Sequence, residues 1–293
     1  MNTRPATRDD FPAIAELFNA ADEAAIGRPA SIDVHEVDAW LGSVNLETNT
    51  WLFEEEGDLV AAGFAQLHGD VGILAGSVRP DRCGLGYGSA FVERAERRLV
   101  DEGAPRLHAF AVAGDDRATE LFRIRGFVEV RRFWEMEIEL GGEPPAEPTV
   151  PVELFREDEG PAFHAALEEA FADHWEPHPE PFESWWDRQV ARSNYDPSLW
   201  FVVRDGDEIA AIARNETRGS GGYVGALGVR RPWRGRGYAR ALLHHTFREF
   251  HRRGVRKVTL GVDAANPTGA TRLYESVGMH ATREDVVWEK AVA

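Results

Sequence analysis

The sequence repeats itself once, and this repeat constrains the fold more than any other feature. Glycines and their neighbours recur at an offset of about 150 residues along a chain of 293 residues. The matching positions are Gly57-Asp58 with Gly206-Asp207, Gly86 with Gly237, and Gly126 with Gly278. A constant offset of half the chain length predicts a duplicated domain.

A stretch rich in Pro and Gly, Gly141 to Thr149, separates the two copies and is typical of a linker. We therefore expect domains at 1–142 and 150–293. Each copy mixes helices with a run of strands closed by a helix–strand unit, which predicts an α+β fold (an α/β sandwich) with a mixed sheet. The periodicity predicts helices at Val34 to Leu41 and Asp116 to Ile124, and strands at Val71 to Val78 and Phe133 to Leu140.

Composition excludes several classes of function. The formal net charge of -17 argues against a nucleic-acid partner and favours cationic substrates. The one cysteine, Cys83, excludes an intramolecular disulfide and a Cys-based zinc site, and suits a reducing compartment. The chain shows no apolar signal core and no run of membrane-spanning length. We expect a cytoplasmic protein that binds neither membranes nor nucleic acid.

One stretch, Tyr223 to Phe250, reads as strand, Gly-rich turn and helix. Gly235 and Gly237 let a ligand approach the backbone of the turn closely. Free N–H groups and the positive end of the helix dipole then point at one spot. The turn also carries clustered cations, Arg230, Arg231, Arg234 and Arg236. These features predict a phosphate-binding site, and the alternative is a surface turn with solvated arginines.

The known phosphate loops narrow this prediction. No Gly-Lys-Ser/Thr closes the turn, which excludes a Walker loop, and the third glycine of a dinucleotide fingerprint would be Arg240. The turn instead resembles the pyrophosphate loop of the GNAT superfamily of acyl-CoA-dependent N-acyltransferases, Q/R-x-x-G-x-G/A, which Arg234 to Ala239 fits at every fixed position. The resemblance covers both copies and implies two tandem domains, a layout like that of the mycothiol synthases.

The resemblance implies a fold, a co-substrate and a set of contacts. Each domain is expected to be a mixed, mostly antiparallel sheet flanked by helices, and acetyl-CoA is the expected co-substrate, without a metal. Backbone N–H groups near the end of the strand would hold the developing oxyanion. The residues expected at the cofactor are Leu227, Gly228, Val229, Arg234, Gly235, Arg236, Gly237, Tyr238 and Ala239.

A second segment, Asn266 to Met279, resembles the family pattern N-x-x-x-A-x-x-L-Y-x-x-x-G-F/M. Asn266 can cap a helix that has Pro267 at its first position. The resemblance implies that Asn266 faces the cofactor and that Tyr274 is the general acid that protonates the departing CoA thiolate. The alternative is that Tyr274 is a core aromatic residue beside Leu273.

The general base stays open at this point. The resemblance implies that a neutral amine attacks the thioester carbonyl directly, so the amine must lose a proton. The strand before the loop carries no acid, which leaves Glu216, Asp173 and His174 as candidates. Of these, we name Glu216 as the catalytic candidate.

The acceptor pocket is predicted in the aromatic stretch from Asp173 to Trp186, where the family keeps its acceptor-facing helices. Trp175 would wall the pocket, with Trp185 and Trp186, while Asp173 or Glu176 would attract the cation. Ordinary core packing explains the tryptophans equally well. His174 and His178 lie four residues apart, but the prolines at 177 and 179 break any helix that would align them, so we expect no metal site.

The first copy is degenerate at the positions that carry chemistry. Cys83 stands at the place of Arg234, and Phe122 at the place of Tyr274. Gly84, Gly86 and Gly88 remain, so backbone phosphate binding stays possible. We expect this copy to be a scaffold, or a domain that binds without catalysing.

The sequence thus predicts an N-acetyltransferase that acts on the primary amine of a small molecule with its second domain. Two alternatives stay open, a non-catalytic acyl-CoA-binding sensor or interaction protein and a protein-lysine acetyltransferase. The two copies are compatible with a monomer that forms an internal pseudo-dimer, or with a homodimer.

Overall fold

A computed structural model of the chain describes residues 2–30, 32–177, 179–266 and 268–292, which form two compact units. Unit 1 comprises Met1–Phe133 and Arg283–Ala293, and unit 2 comprises Trp134–Thr282. These units differ from the expected division at 142 and 150 in their last strands. The second half of β6, from Trp134, belongs to unit 2, and most of β12, from Arg283, belongs to unit 1. The sequence hides this exchange, since both copies carry a strand pattern at the equivalent place.

The described residues contain twelve strands and nine α-helices. The strands are β1 (Asn2–Arg4), β2 (Thr50–Glu55), β3 (Asp58–His68), β4 (Val71–Val78), β5 (Arg106–Val112), β6 (Val128–Glu139), β7 (Glu153–Leu154), β8 (Trp200–Asp205), β9 (Glu208–Arg218), β10 (Gly221–Val229), β11 (Lys257–Asp263) and β12 (His280–Ala291). The helices are α1 (Phe11–Ile26), α2 (Val34–Leu41), α3 (Leu46–Asn49), α4 (Tyr87–Asp101), α5 (Asp116–Ile124), α6 (Gly160–Phe171), α7 (Phe182–Val190), α8 (Tyr238–Arg252) and α9 (Ala270–Ser276).

The two units repeat one strand order. In unit 1 the order is β1-β2-β3-β4-β5-β12, and in unit 2 it is β7-β8-β9-β10-β11-β6. β4 with β5 and β10 with β11 are parallel pairs. The pairs from β1 to β4, from β7 to β10, and β5 with β12 are antiparallel. The predicted α+β fold, with a mixed and mostly antiparallel sheet in each unit, is confirmed.

Helices cover both faces of the sheet in unit 1. Successive residues of a strand point to opposite faces, and β2 shows this directly. Leu52 packs with Phe11, Ile14 and Leu17 of α1, whereas the neighbouring Phe53 packs with residues of α4. Two separate apolar cores therefore stabilise unit 1, and burial of each large side chain contributes about 1.5–3 kcal/mol.

Unit 2 is built in the same way. Trp200 and Val202 of β8 pack into a core that contains Phe163 of α6. Phe201, between them in the sequence, lies in a second cluster with Leu242 of α8. The alternation along one strand therefore places α6 and α8 on opposite faces of the sheet.

Several elements match their predicted bounds, including α2, α5 and β4. β6 begins at Val128, five residues before the predicted start at Phe133. Among the described residues no helix has the length and apolar character needed to cross a bilayer.

Candidate active site

The Gly-rich turn of unit 2 leads from β10 through a short 3-10 turn into α8. Gly235 and Gly237 adopt φ angles of 80° and 81°, in the left-handed region that favours glycine. A Cβ added to either residue would meet no atom within 4 Å, so the space in front of the turn is open. Gly237 is the N-cap of α8 and supplies no side-chain hydrogen bond to the helix. The first N–H groups of α8 are therefore available to an anion.

Arg234 ties this turn to the rest of unit 2. Its Nε donates to the carbonyl oxygen of Val229 at 3.2 Å, and its Nη2 donates to that of Ala170 at 3.3 Å. Its Nη1 donates to Asp173 Oδ2 at 2.9 Å. These bonds join the turn to the end of β10 and to the end of α6. Arg234 therefore positions the loop backbone.

Asp173 lies against the same turn. Its carboxylate accepts hydrogen bonds from Arg231 and Arg234. These two guanidiniums, with the larger effect from Arg231, lower the pKa of Asp173 to about 2. An ionised carboxylate held by two cations is a poor base and a weak attractor for a third cation. Trp175, two residues further along, is half-buried.

The tryptophans expected to wall the pocket are divided by the structure. Trp185 is buried, with its ring near those of Phe163 and Trp200. Trp186 contacts Phe155 and Tyr195 at the edge of the same cluster. Core packing accounts for Trp185.

β10 contains a bulge at Gly225. The antiparallel register with β9 shifts between Val224 and Ala226, so Gly225 is the extra residue. Residues 222 and 228 are an even number apart and would share a face of a regular strand. The bulge places them on opposite faces: Gly222 packs against Phe250 of α8, whereas a Cβ on Gly228 would lie 2.7 Å from Ala170 in α6. β10 pairs in parallel with β11 at Gly222 and Tyr223, near the start of β10.

The bulge therefore decides which groups of β10 face α6 and which face α8. Leu227 and Val229 are half-buried and pack against the cluster that contains Leu242. Gly228, between them, faces α6. The three residues expected to hold the oxyanion thus lie beyond the bulge, on the stretch that leads directly into the Gly-rich turn.

Tyr274 lies in α9 and is 8% exposed. Burial, helped by the nearby Tyr223, raises the pKa of Tyr274 to about 12. The phenol therefore keeps its proton at neutral pH. Within the described part of the chain, its hydroxyl has no hydrogen-bond partner. The side chain is the expected core aromatic residue, and its hydroxyl donates its proton to no described residue.

The prediction that Asn266 caps the following helix is wrong. α9 begins at Ala270, and its N-cap is Gly269. Asn266 Oδ1 instead accepts hydrogen bonds from the backbone N–H and the hydroxyl of Thr268, both within 2.8 Å. The side chain closes a local turn that competes with helix formation. Pro267, predicted at the first helical position, lies outside the described residues.

Glu216 is surrounded by arginines. It is buried in β9 and accepts hydrogen bonds from Arg192 Nη2 and Arg218 Nε at 3.0 and 2.8 Å. Arg214 Nη1 lies 3.6 Å from its Oε2. These contacts make Glu216 an anchor for three arginines.

His174 differs from the other two candidate bases. Its ring packs on Phe171, with 4.3 Å between the ring centroids. Burial lowers the pKa of His174, so the imidazole is neutral at pH 7. A neutral imidazole has a lone pair that can accept a proton. His178, the second histidine of the spacing considered for a metal, lies outside the described residues.

Comparison with known proteins identifies the fold family. The sequence profile described as "Acetyltransferase (GNAT) family" matches residues 11–127 and again 161–279, which together make up more than half of the chain. The chain belongs to the acetyltransferase (GNAT) family. It is therefore an acyltransferase built from two tandem GNAT copies, as the sequence predicted.

Individual relatives agree with this assignment. Mycothiol acetyltransferase from Streptomyces scabiei is 30% identical over 243 residues, which cover 79% of this chain and 76% of that protein. The crystal structure of a GCN5-related N-acetyltransferase from Sphaerobacter thermophilus has a TM-score of 0.86 and 31% identity, covering 99% of this chain and 95% of that one. A tandem GNAT protein from the clavulanic acid biosynthesis pathway shares the fold with a TM-score of 0.72 at 16% identity, covering 99% of this chain and 98% of that one.

The GNAT turn of unit 1 keeps the backbone geometry but not the side chains. Gly84 and Gly86 have φ angles of 82° and 91°, and a Cβ on Gly84 would meet nothing within 4 Å. The Cys83 thiol lies 3.9 Å from the carbonyl oxygen of Val78, the counterpart of Val229. Phe122 is buried, with its ring 6.2 Å from that of Trp288. Unit 1 therefore has the open turn without a proton donor at the place of Tyr274.

The arginines around Glu216 are the part of this GNAT site that sequence reasoning missed. A signal was present, because Arg214, Glu216 and Arg218 follow one another at every second residue of β9 and so share a face. Arg192, just after α7, joins them only in the folded chain.

Proposed function

We propose that unit 2 transfers an acetyl group from acetyl-CoA to the primary amine of a small molecule. The observation that carries this proposal is the combination in one unit of an open Gly-rich turn at the start of α8 and the buried, protonated Tyr274. A sensor that only bound acyl-CoA would use the turn alone and would have no use for a proton donor.

The proposed reaction is a direct transfer. The turn from Gly235 to Ala239 and the N-terminus of α8 bind the pyrophosphate through backbone N–H groups, with Arg234 and Arg236 adding positive charge. Backbone N–H groups between Leu227 and Val229 stabilise the oxyanion. The amine nitrogen forms a bond to the carbonyl carbon, the carbon–sulfur bond breaks, and the Tyr274 hydroxyl gives its proton to the leaving thiolate.

We assign the base role to His174, directly or through a water molecule. His174 is neutral at pH 7, whereas Asp173 is ion-paired with the loop arginines and Glu216 with the arginines of β9 and the end of α7. Asn266 and Tyr238 remain proposed cofactor contacts, and Trp175 a proposed acceptor contact. The single cysteine supports a cytoplasmic setting.

The test measures acetyl-CoA binding by calorimetry and thiol release with a panel of amines, for wild type and Tyr274→Phe. We expect both proteins to bind acetyl-CoA and wild type alone to release thiol rapidly. Wild type that binds acetyl-CoA without turning over any amine would favour the sensor. Absence of acetyl-CoA binding would exclude both functions.

A further inference from the structure

A cationic cluster lies beside the proposed reaction centre of unit 2. Arg192, Arg214 and Arg218 converge on one buried carboxylate, that of Glu216. Within the part of the chain that the structure describes, Glu216 is the carboxylate that pairs with Arg192 and Arg214. Two guanidiniums therefore share one anion, in a chain whose overall charge is strongly negative.

Arg214 is the least satisfied of these side chains. Its Nη1 donates to Gln189 Oε1 at 3.1 Å. Its Nε is buried and has no hydrogen-bond partner, and its Nη2 makes no hydrogen bond to any described residue. An unpaired buried donor on a cation is costly, so a partner that completes this edge would bind favourably. The Nε and Nη2 atoms together form the edge of a guanidinium that grips a carboxylate with two parallel hydrogen bonds.

The cluster borders the bulge of β10 and the ring of Tyr223. Arg214 Nη2 lies 3.0 Å from the position that a Cβ on Gly225 would take, so the unsatisfied edge faces the bulge of β10. Arg218 stacks over the ring of Tyr223, with 3.3 Å from its Cζ to the ring centroid. Tyr223 in turn is close enough to Tyr274 to raise its pKa. Because residue 225 is a glycine, the unsatisfied edge of Arg214 can lie against the backbone of the bulge, on the strand that also carries Tyr223.

We infer that this cluster binds a carboxylate group carried by the acceptor, with Arg214 as the specificity-determining residue and Arg192 beside it. The acceptor class is then a small amine with a carboxylate, such as an amino acid. Glu216 positions the arginines by holding Arg192 and Arg218 in place. This assignment rests on the proposed acetyl transfer. It adds an anionic group to the cationic amine that the overall charge favours.

The charge balance around Arg214 agrees with this assignment. Burial lowers the pKa of Arg214 to about 10, and Arg192 and Arg218 add to the effect while Glu216 opposes it. The guanidinium remains charged at pH 7, and a bound anion would stabilise that charge against burial and against the neighbouring arginines.

The experiment compares matched acceptors in the thiol-release assay. The acceptors are the standard amino acids, their carboxamides, the corresponding amines that lack the carboxyl group, and phosphoethanolamine. Hydrogen bonds to a charged group are strong enough that we expect kcat/KM for the acid to exceed that for its amide by roughly 10- to 100-fold. Arg214→Gln should abolish this preference by raising KM for the acid, with the amide unaffected.

Two further variants and one control separate recognition from structure. Arg214→Lys keeps the charge but loses the two-pronged edge, so it should retain part of the preference. Gly225→Ala places a methyl group against Nη2 of Arg214. It should lower kcat/KM for the acid and leave kcat/KM for the amide unchanged, and it replaces Arg214→Gln as the test if that variant does not fold. Arg188→Gln removes an arginine of α7 that pairs with Glu180 outside the cluster, and should leave the preference unchanged.

The outcomes are distinct. Equal turnover of acids and amides, or an equal loss of both in Arg214→Gln, overturns the inference and leaves the acetyltransferase intact. A preference for phosphoethanolamine over every carboxylate overturns the carboxylate assignment. Acetyl-CoA binding without turnover of any anionic amine overturns the inference as well. Absence of acetyl-CoA binding shows instead that the proposed function is wrong.

Discussion

Unit 1 and unit 2 have the same strand order, the same parallel pair of strands, and a Gly-rich turn with two left-handed glycines before a long helix. They differ at a few positions. Unit 2 has a bulge at Gly225, an arginine at 234 and a tyrosine at 274, whereas β4 of unit 1 pairs with β3 without a register shift. In unit 1, Cys83 stands at the place of Arg234 and Phe122 at the place of Tyr274. The comparison teaches that the glycines and the core preserve the fold, while three local features separate a proposed catalytic unit from its degenerate copy.

The largest expected effect follows from making unit 2 resemble unit 1 at the proton donor. Tyr274→Phe should lower kcat by about 10²- to 10⁴-fold, because general acid catalysis contributes this much. The affinity for acetyl-CoA and the melting temperature should stay close to those of wild type, since only the hydroxyl is removed. Phe122→Tyr is the matched control, and it should not restore activity to Tyr274→Phe. Unchanged turnover in Tyr274→Phe would show that Tyr274 is not the general acid and that its absence from unit 1 does not explain a loss of catalysis there.

The pH dependence of kcat/KM sharpens the assignment of acid and base. The base must be neutral, so activity should fall as the pH drops through the pKa of His174, which burial places below its ordinary value of about 6.5. Tyr274, with a pKa of about 12, should cause no alkaline loss at moderately high pH. The acceptor's ammonium group must also lose its proton, so it sets a second limb at higher pH. His174→Asn should remove the limb at the pKa of His174 and leave the limb set by the acceptor. Persistence of the lower limb in this variant would assign the base elsewhere.

The loop position gives the next effect. Arg234→Cys copies Cys83 and removes hydrogen bonds to Val229, Ala170 and Asp173. We expect acetyl-CoA affinity to fall by roughly 10- to 100-fold, because bonds from a charged group contribute about 1.5–3 kcal/mol. Calorimetry measures the change, and Cys83→Ser should leave the affinity of unit 2 unaltered. An Arg234→Cys protein that binds as wild type does would show that the backbone of the turn suffices.

A packing difference comes next. By the repeat offset, Ser77 of unit 1 corresponds to Gly228, where a Cβ would lie 2.7 Å from Ala170 and 3.1 Å from Phe171. Gly228→Ser should destabilise the protein by about 1–3 kcal/mol through overpacking against α6. Urea unfolding measures the loss. Gly221→Ser in the same strand is the control, since its nearest atoms lie at 3.5 Å. Equal stability of the two variants would show that α6 can move away.

The smallest expected effect concerns the helices α5 and α9. Asp115 caps α5 by accepting from the backbone N–H groups of Arg117 and Ala118, so Asp115→Ala should cost about 1 kcal/mol. Asn266→Ala removes no helix cap and should change stability less. Thermal unfolding compares the two. A larger loss for Asn266→Ala would mean that its local turn holds α9 in place.

Much of this could be predicted from the sequence where the signal is local. Strand, glycine turn and helix follow one another within Tyr223 to Phe250, and each is set by its own residues and near neighbours. The Asn266 cap failed because the side chain had a competing partner two residues away, in Thr268. The bulge at Gly225 could not be read, because a bulge is a property of two paired strands. The arginine cluster joins β9 to a residue after α7, and no spacing rule connects them.

The exchanged last strands set the order in which the chain can mature. Trp288 and Val286 of β12 belong to the core of unit 1, so that core lacks part of its apolar surface until β12 emerges from the ribosome. Unit 2, by contrast, is one uninterrupted segment, Trp134–Thr282, all of which is synthesised before Arg283. On a nascent chain, unit 2 therefore has all its residues while unit 1, most of which is synthesised earlier, still lacks β12.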